Sequence, residues 1–458
     1  MFQSLPCLLG LRRWGRKYWL AVIRHNLPMQ IEVVDSLSDI PAAEWDALVA
    51  SAGGNVFLSH AYLHALHTTG CASPRTGWTR RYLIARDESG LLQGALPLYL
   101  KAHSYGEYVF DWSWADAWQR AGGDYYPKLL AAVPFTPCTG PRVLATNDEI
   151  GHALMHGAVE LAKQLQVSSL HVLFPPDAEA AQWQDAGLML RQGVQFHWHN
   201  HGYRTFDDLL ASMTHDKRKR IRQDRRYVQE AGVHWRVSRG GAISGEDWAF
   251  FYRCYETTYA AHHSTPYLSA EFFERIGRDM GDAAVLFIGE RDSRALCSSL
   301  CIASGDTVYG RYWGTLEALR SLHFEACYYQ PIEWCIANGF QRFEGGAQGA
   351  HKLARGLLPV ATHSAHWLAD GRFADAVRHF LKRESVGIAH TMEELNESSP
   401  FKAIAPLPLE GRGAGGEGDL GAGNTLDASP RPPLPDPSPT RGEGRRDEDK
   451  RVFATIIN

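Results

Sequence analysis

Apolar and polar positions form short blocks along the middle of the chain, and these blocks predict helices followed by antiparallel strands. Apolar residues at helical spacing come first, and two apolar runs separated by a turn segment (87–90) come after them. The same order of blocks returns roughly 200 residues later. In the first half, the predicted helices cover 41–51 and 59–69, and the predicted strands cover 81–86, 91–100 and 105–112. In the second half, the helices cover 245–262 and 269–280, and the strands cover 284–289, 295–303 and 306–313.

The second half continues beyond its three predicted strands. A helix over 321–338 ends at Gly339, and a short strand over 341–344 enters the glycine-rich segment 345–349. A strand over 360–368 and a helix over 375–384 complete this half. The order of elements predicts a mixed α+β fold: helices come first, then an antiparallel meander, then a strand, the glycines and a helix. The repetition of this order predicts two tandem units with central mixed sheets.

The two ends of the chain differ from this pattern. In residues 1–28, basic residues such as Arg12 and Arg13 interrupt the apolar run, so a signal peptide is excluded. Residues 1–28 could form a basic amphipathic segment that lies on a membrane surface. The favoured interpretation is that translation starts at Met29, so that residues 1–28 are not part of the protein. Residues 401–450 contain nine Gly and eight Pro, which predicts disorder over 396–458. The predicted domains are therefore 29–195 and 196–395.

Composition narrows the function classes. The chain has 458 residues, 45% of them hydrophobic, and a net charge of −4, so no global basic excess indicates nucleic-acid binding. Eight scattered cysteines without a C-x-x-C pair argue against a disulfide scaffold or a thiolate zinc site and favour a cytoplasmic protein. No run of 18 apolar residues exists, so no transmembrane segment is predicted.

The order of elements resembles the acyl-CoA N-acyltransferase (GNAT) fold, and several segments resemble the FemAB-like family of predicted bacterial N-acyltransferases linked to peptidoglycan biosynthesis or recognition. The resemblance runs from about residue 29 to 394. It is carried by the segments 57–66, 97–111, 125–128, 133–137 and 343–352. It implies an acyltransferase (EC 2.3) that moves an acyl group to an amine acceptor from a small-molecule donor of the acyl-CoA type, without a metal.

The resemblance also implies a donor site at a glycine-rich turn, where backbone N–H groups hold an anion. The segment 345–352 is the best candidate because small residues let the backbone approach a ligand and cations come next in the chain. A plain structural turn is the competing interpretation. The expected donor-binding residues are Gly345, Gly346, Gln348, Gly349, Lys352 and Arg355.

Acyl transfer to an amine needs a base and a polarised carbonyl. Glu344 ends the strand that enters the glycine segment, and its carboxylate is a candidate base if burial raises its pKa. His351 is the alternative base. Tyr312, on the third strand of the second meander, is a candidate acid, although such aromatic residues are more often part of the core. Alternation along that strand places Tyr309 and Trp313 on one face and Tyr312 on the other.

A basic helix over 215–226 holds seven Lys or Arg against two Asp, and Lys217, Arg218 and Arg222 are its candidate anion-binding residues. They would contact tRNA phosphates or an anionic donor, or form a solvated helix face. An aminoacyl-tRNA donor is therefore the alternative to acyl-CoA. A non-catalytic module that binds peptidoglycan or nucleic acid is a second alternative. His197, His199 and His201 alternate along a predicted strand, but accidental clustering is favoured over a metal site.

Overall fold

The computed structural model describes residues 11–14, 17–20, 29–346 and 349–402, and it has a mixed α+β fold of two tandem GNAT-like halves. The strands are β1 (Leu11–Trp14), β2 (Lys17–Leu20), β3 (Met29–Val34), β4 (Trp78–Arg80), β5 (Tyr82–Asp87), β6 (Leu92–Leu96), β7 (Tyr99–Lys101), β8 (Lys128–Ala131), β9 (Leu144–Ala145), β10 (Ser169–Leu173), β11 (Met189–His199), β12 (His234–Arg239), β13 (Ala284–Arg291), β14 (Arg294–Ser304), β15 (Thr307–Thr315), β16 (Arg342–Glu344) and β17 (Leu358–Leu368). The helices are α1 (Ala42–Ser51), α2 (His60–Thr68), α3 (Trp112–Arg120), α4 (Asp148–Gln164), α5 (Asp177–Asp185), α6 (Phe206–Ser212), α7 (His215–Glu230), α8 (Gly245–Ala261), α9 (Ala270–Asp279), α10 (Leu322–Phe324), α11 (Gln330–Ala337) and α12 (Gly371–Glu397).

Two sheets organise the molecule, a smaller antiparallel one and a larger mixed one. The smaller has the order β1-β2-β3-β5-β6-β9, and the larger has the order β12-β13-β14-β15-β16-β11-β17-β10-β8-β7-β4. The larger sheet therefore runs through both halves. Strand β11 spans residue 195, where the sequence predicted the boundary between two domains, and that division into domains stays a prediction. The backbone of β2 pairs with β3, although the segment 1–28 was expected to be an extension outside the fold. The tail expected to be disordered lies mostly outside the described residues.

Most predicted elements of the second half match observed ones, and the helical prediction over 321–338 becomes α10, a π-helical turn (Glu325–Tyr329) and α11. The strand predicted over 105–112 is wrong, because this segment is a loop that ends at α3. Its aromatic residues gave the appearance of a strand. Two acidic side chains of this loop, Glu107 and Asp111, pair with the same lysine, whereas a regular strand would hold residues four positions apart about 13 Å from each other.

That lysine is Lys128, at the start of β8, and it is fully buried. Its ammonium donates to Glu107 Oε2 at 2.8 Å, to Asp111 Oδ2 at 2.5 Å and to the Ser104 hydroxyl at 2.7 Å. Burial raises the pKa of Glu107 to about 7, whereas at Asp111 burial is outweighed by Lys128, His171 and the hydrogen bonds together, which lower the pKa of that carboxyl. This network fastens the 105–111 loop to the sheet from inside.

The large sheet separates two hydrophobic clusters in the second half. Leu286 and Ile288 of β13 belong to the cluster that includes α1, α2, α8 and α9, which we call the first face. Val285 and Phe287, which alternate with them, belong to the cluster that includes α6, the π-helical turn and α11, which we call the second face. The position of a side chain in one cluster or the other therefore tells which face of the sheet it occupies.

The first half repeats the pair of parallel strands of the second half, and a buried arginine lies near the end of that pair. Strands β8 and β10 run parallel as far as Ala131 and Val172. Beyond them lies Arg142, whose side chain is 2% exposed. Its Nε donates to the Leu173 carbonyl at 2.6 Å, and its Nη2 donates to the Cys138 carbonyl at 2.7 Å. Arg142 therefore connects the end of β10 to the segment that follows β8.

Candidate active site

Strands β15 and β16 of the second half separate and leave an opening in the sheet. They pair in parallel over three residues, ending at Tyr309 and Glu344. Strand β15 then continues to Thr315, while the other chain turns away at Gly345 and Gly346. The opening passes through the sheet, because residues of both hydrophobic clusters line it.

A cleft with about 980 Å³ of empty volume occupies this opening. On the first face its walls are largely aromatic and come from α8, β15 and a loop of the first half. On the second face they come from the π-helical turn, the glycine segment and the residues just after it. The first-face wall includes Tyr108, Pro137, Tyr255, Tyr259 and Tyr312. The second-face wall includes His323, Cys327, Tyr328, Gly345, Gly346, His351 and Lys352.

A β-bulge in β15 shapes the cleft. Leu300 of β14 pairs with Tyr312 and Cys301 pairs with Gly310, so Arg311 is an extra residue on β15. The bulge breaks the alternation expected from the sequence, and the prediction that Tyr309 and Trp313 share a face is wrong. Tyr309 and Tyr312 both pack on the first face, whereas Trp313 contacts His323 across the cleft wall on the second.

Lys352 is the cation on the second face, and it was expected to bind the donor. Its side chain is buried, and its Nζ donates to the Gly346 carbonyl at 3.0 Å. Burial lowers the pKa of Lys352 to about 7. No carboxylate lies within 4.0 Å of this nitrogen in the described part of the chain, so an anion entering the cleft beside protonated Lys352 would meet a charge that no acidic side chain neutralises.

Two other expected residues line the cleft near Lys352 and Arg311. His351 Nε2 lies 3.1 Å from the Tyr328 hydroxyl, and burial lowers the pKa of His351 to about 4, so its imidazole is neutral at pH 7. The Tyr312 hydroxyl donates to the Phe135 carbonyl at 3.2 Å, and burial raises the pKa of Tyr312. Tyr312 is therefore a neutral phenol that is already engaged with the first half of the chain.

Glu344, the first candidate base, is buried next to the cleft but is not among its lining residues. Its Oε2 lies 3.9 Å from His197 Nε2 and has no hydrogen-bond donor in the described residues. Burial raises the pKa of Glu344 to about 7, as the sequence hypothesis required. Its position at the last pair of β15 and β16 places it at the narrow end of the opening.

The glycine segment leads into a short 3₁₀ helix rather than an α-helix. Residues Ala350–Arg355 form a single 3₁₀ helix that leads directly into β17, so no long helix begins at these glycines. Gly346 has φ +87°, which favours glycine, and a Cβ at Gly345 would meet Leu357 at 2.6 Å. Gly349 also has a positive φ, of +115°. Gln348 lies outside the described residues.

Arg355 does not line the cleft. Its guanidinium stacks on Phe324 with 3.3 Å to the ring centre, and its Nη1 donates to the His351 carbonyl at 2.5 Å. Its Nη2 lies 3.9 Å from Asp224 Oδ2 on α7. Arg355 therefore connects the 3₁₀ helix to α7 and holds the residue next to Lys352 in place.

The basic helix is present as α7, but only its flank approaches the cleft. Lys217 and Arg218 are half-buried, and Arg222 is exposed with its Nη2 3.5 Å from Asp207. The structure does not bring these three residues to the cleft wall. Helix α7 is connected to the π-helical turn through Asp224, which accepts a hydrogen bond from the Tyr329 hydroxyl at 2.9 Å. The preceding residue in that turn, Tyr328, lines the cleft.

The three alternating histidines do not converge. His197 is buried and lies 3.1 Å from Gln195 Oε1, His199 is exposed, and His201 lies beyond the end of β11. Across residues 29–346 and 349–402, no group of three or more His, Cys, Asp or Glu is arranged to hold a metal ion.

Arg311 is the cleft residue that sequence reasoning missed. Its guanidinium lies over Phe57 and Tyr312 and bonds the carbonyl of Phe135, which is 176 positions away in the chain. A signal was available, since an arginine stands between Gly310 and Tyr312 in an otherwise apolar strand. Tyr108 and Pro137, contributed by the first half, have no such signal.

Comparison with known proteins gives one decisive match. A family model, FemAB-like, described as peptidoglycan biosynthesis/recognition, matches residues 36–403. The chain belongs to the FemAB-like family. A search of curated proteins finds no match to this FemAB-like chain.

Solved structures similar to this FemAB-like protein include three of related architecture. FemX is 13% identical, with 74% of this chain and 98% of FemX covered and a TM-score of 0.46. L-PGS from Bacillus licheniformis is 10% identical, with coverage of 75% and 96% and a TM-score of 0.47. A tandem GNAT protein from the clavulanic acid biosynthesis pathway is 12% identical, with coverage of 75% and 99% and a TM-score of 0.41. Within its described residues, the FemAB-like chain has no helix long and apolar enough to cross a bilayer.

Proposed function

We propose that this FemAB-like protein is an N-acyltransferase that uses an acyl-CoA-type donor and an amine acceptor, with a role in cell-wall metabolism. The observation that carries the proposal is the opening between β15 and β16, with an unpaired cation at Lys352 beside two glycines. A donor lying in the opening would expose its acyl carbon to both faces of the sheet. Membership of a family linked to peptidoglycan biosynthesis or recognition supports the cell-wall assignment.

The reaction requires a nitrogen–carbon bond to form as the thioester carbon–sulfur bond breaks. An attacking ammonium gives up two protons overall, one to a base before attack and one to the departing thiolate. Lys352 is the cleft group best matched to this task, because its pKa of about 7 lets the neutral amine accept a proton near neutral pH. Once protonated, the same ammonium faces the negative charge that develops on the carbonyl oxygen.

His351 and Glu344 have more limited roles in this proposal. The imidazole of His351 is a weak base, because burial lowers its pKa to about 4. It lies within hydrogen-bond distance of the Tyr328 hydroxyl. Glu344 lies behind the cleft wall and would accept a proton only through an intervening group. The order of expected importance is therefore Lys352, then His351, then Glu344.

An aminoacyl-tRNA donor is the second candidate, and α7 is the observation that favours it. Several of its cations are exposed on the helix that contacts the 3₁₀ helix carrying Lys352, and they would meet phosphates of a nucleic acid. The exposed cations are Lys219, Arg220, Arg222 and Arg226. The chemistry at the carbonyl is the same, with an ester oxygen as the leaving atom.

Donor binding and turnover test the proposal with the full chain. Acetyl-CoA, longer acyl-CoAs and aminoacyl-tRNA are each added, and the melting temperature and the release of thiol or free tRNA are measured. An acyl-CoA is expected to raise the melting temperature and to be consumed when an amine is present. Lys352→Ala should abolish turnover, whereas Lys382→Ala, on the exposed face of α12, should not.

The outcomes separate the candidates. Stabilisation and turnover by aminoacyl-tRNA alone, lost in an Arg220→Ala/Arg222→Ala variant, would replace acyl-CoA with the second candidate. Binding of peptidoglycan fragments with no turnover of either donor, unchanged by Lys352→Ala, would overturn the transferase proposal and leave a binding module.

A further inference from the structure

Two cations line the cleft, and they lie on opposite faces of the sheet. Lys352 is beside Gly345 and Tyr328, in the cluster of the second face. Arg311 is beside Phe57 and Phe135, in the cluster of the first face. If the donor is held at Lys352, as proposed above, the opening between β15 and β16 directs the acyl carbon toward the first face. Arg311 is then the cation that an acceptor would meet.

The guanidinium of Arg311 has only neutral partners. Its Nη2 donates to the Phe135 carbonyl at 2.5 Å and to the Tyr312 hydroxyl at 3.2 Å, and its Nη1 lies 3.9 Å from Cys138 Sγ. Its Nε has no hydrogen-bond acceptor, and no carboxylate lies within 4.0 Å of it in the described part of the chain. Glu344 experiences the charge of Arg311 but does not pair with it. Arg311 is half-buried, and a charge partly removed from water without a counter-ion is costly, so this arrangement favours a bound anion.

The walls around Arg311 suit a small anion attached to an organic group. The side chains of Tyr108, Tyr255, Tyr259 and Tyr312 form an aromatic surface on this side of the cleft. The Tyr255 and Tyr259 hydroxyls bond each other at 3.1 Å, so they are already partly satisfied. One guanidinium balances one negative charge, and its planar donors match the two oxygens of a carboxylate. A phosphate would bring a second charge that this face does not balance.

We propose that Arg311 determines acceptor specificity: its guanidinium binds the carboxylate of an amino-acid or peptide acceptor and so presents the amino group at the opening between β15 and β16. The assignment of this end of the cleft to the acceptor rests on the proposed function. The carboxylate site itself rests on the contacts of Arg311. The contacts with Phe135 place this site at the junction of the two halves, so that the first half helps to position the arginine.

The first experiment measures binding without any donor. N-acetylated amino acids resemble a transfer product whether the donor is acyl-CoA or aminoacyl-tRNA. The dissociation constants of N-acetyl-alanine, N-acetyl-phenylalanine and N-acetyl-lysine are compared with those of the corresponding carboxamides by calorimetry on the full chain. At least one acid is expected to bind about 10–100-fold more tightly than its amide, which corresponds to one charge-assisted hydrogen-bonded contact. Equal affinities for every pair would overturn the proposal without any variant being needed.

Variants then locate the effect. Arg311→Gln should reduce the affinity of the acid to that of the amide, while Arg311→Lys should retain part of the preference because it keeps the charge. Arg253→Gln, an exposed arginine on α8, is the matched control and should bind as the wild type does. A melting temperature within a few degrees of wild type shows that a variant is folded. A folded Arg311→Gln that keeps the full preference would overturn the assignment to Arg311.

The two proposals fail in different ways. Turnover of a donor with amines, at a rate that depends neither on an acceptor carboxylate nor on Arg311, would overturn the Arg311 inference and leave the transferase. Acid-selective binding that needs Arg311, without turnover of either donor, would leave the carboxylate site and overturn the transferase. Turnover that requires both the carboxylate and Arg311 supports both proposals.

Discussion

Tyr309 and Glu344 are the last paired residues of the parallel strands β15 and β16, and the sheet opens immediately beyond them. Just past this pair, on opposite faces of the sheet, lie Arg311 on the strand that continues and Lys352 beyond the glycine segment, and neither has an acidic partner within 4.0 Å among the residues that the structure describes. The cleft therefore forms where the backbones of β15 and β16 separate, and one basic side chain lines it on each face of the sheet.

The pKa of Lys352 makes stability depend on pH above neutrality. Burial lowers this pKa from 10.5 to about 7, so between those values the unfolded chain binds a proton that the folded chain does not. Stability should therefore rise with pH over this window, by up to about 1.4 kcal/mol per pH unit. Burial also lowers the pKa of Lys101 to about 7, so urea unfolding of Lys352→Met from pH 7 to 10 should show a smaller rise than wild type rather than none, and Lys382→Met should keep the full rise. The same slope in wild type and Lys352→Met would contradict the prediction.

Glu344 should have the opposite effect at lower pH. Burial raises its pKa from 4.5 to about 7, so the folded state retains a proton that the unfolded state has lost between these values. The stability contributed by this group is complete below pH 4.5 and is lost as the pH rises through 7. Glu344→Gln should therefore gain stability relative to wild type as the pH rises from 4.5 to 7, measured by urea unfolding. Glu393→Gln, an exposed site on α12, should show no such change.

Removal of the Lys128 ammonium should destabilise the first half strongly. Lys128→Met leaves the Glu107 and Asp111 carboxyls buried without their cation, which costs about 3–5 kcal/mol in comparable cases. Thermal and urea unfolding measure the loss. The control is Lys163→Met, which removes an exposed pair with Glu160 and should cost less than about 1 kcal/mol. Equal losses for the two variants would show that the buried network does not hold the loop.

Gly314 marks the closest approach of α8 to β15. A Cβ at this position would collide with the carbonyl of Cys254 in the helix backbone, so neither element can yield by rotating a side chain. Gly314→Ala should destabilise the protein by about 3 kcal/mol or more through forced separation of helix and strand. Gly241→Ala, where the space around the Cβ is open, is the matched control and should change the melting temperature little. Similar melting temperatures would mean that α8 can move.

The sequence predicted the elements of the second half well, because its strands alternate and turn residues separate them. It also singled out the glycine segment and Lys352. It did not predict the bulge at Arg311, since one extra residue on a strand leaves no mark in the hydrophobic pattern. Nor did it predict the loop at Glu107 and Asp111, whose conformation depends on Lys128. Contacts such as that of Arg311 with Phe135 join residues 176 positions apart, and a single sequence contains no signal for them.

Arg142 has a consequence for stoichiometry. The architecture is duplicated, yet in the first copy this buried side chain bonds to the carbonyls of Leu173 and Cys138 near the end of the parallel strand pair. A titration with donor should therefore saturate at one molecule per polypeptide, not two. If the proposed function holds, the repeated half supplies part of the wall of the cleft rather than a second donor site, and the duplication would not double the number of donors bound.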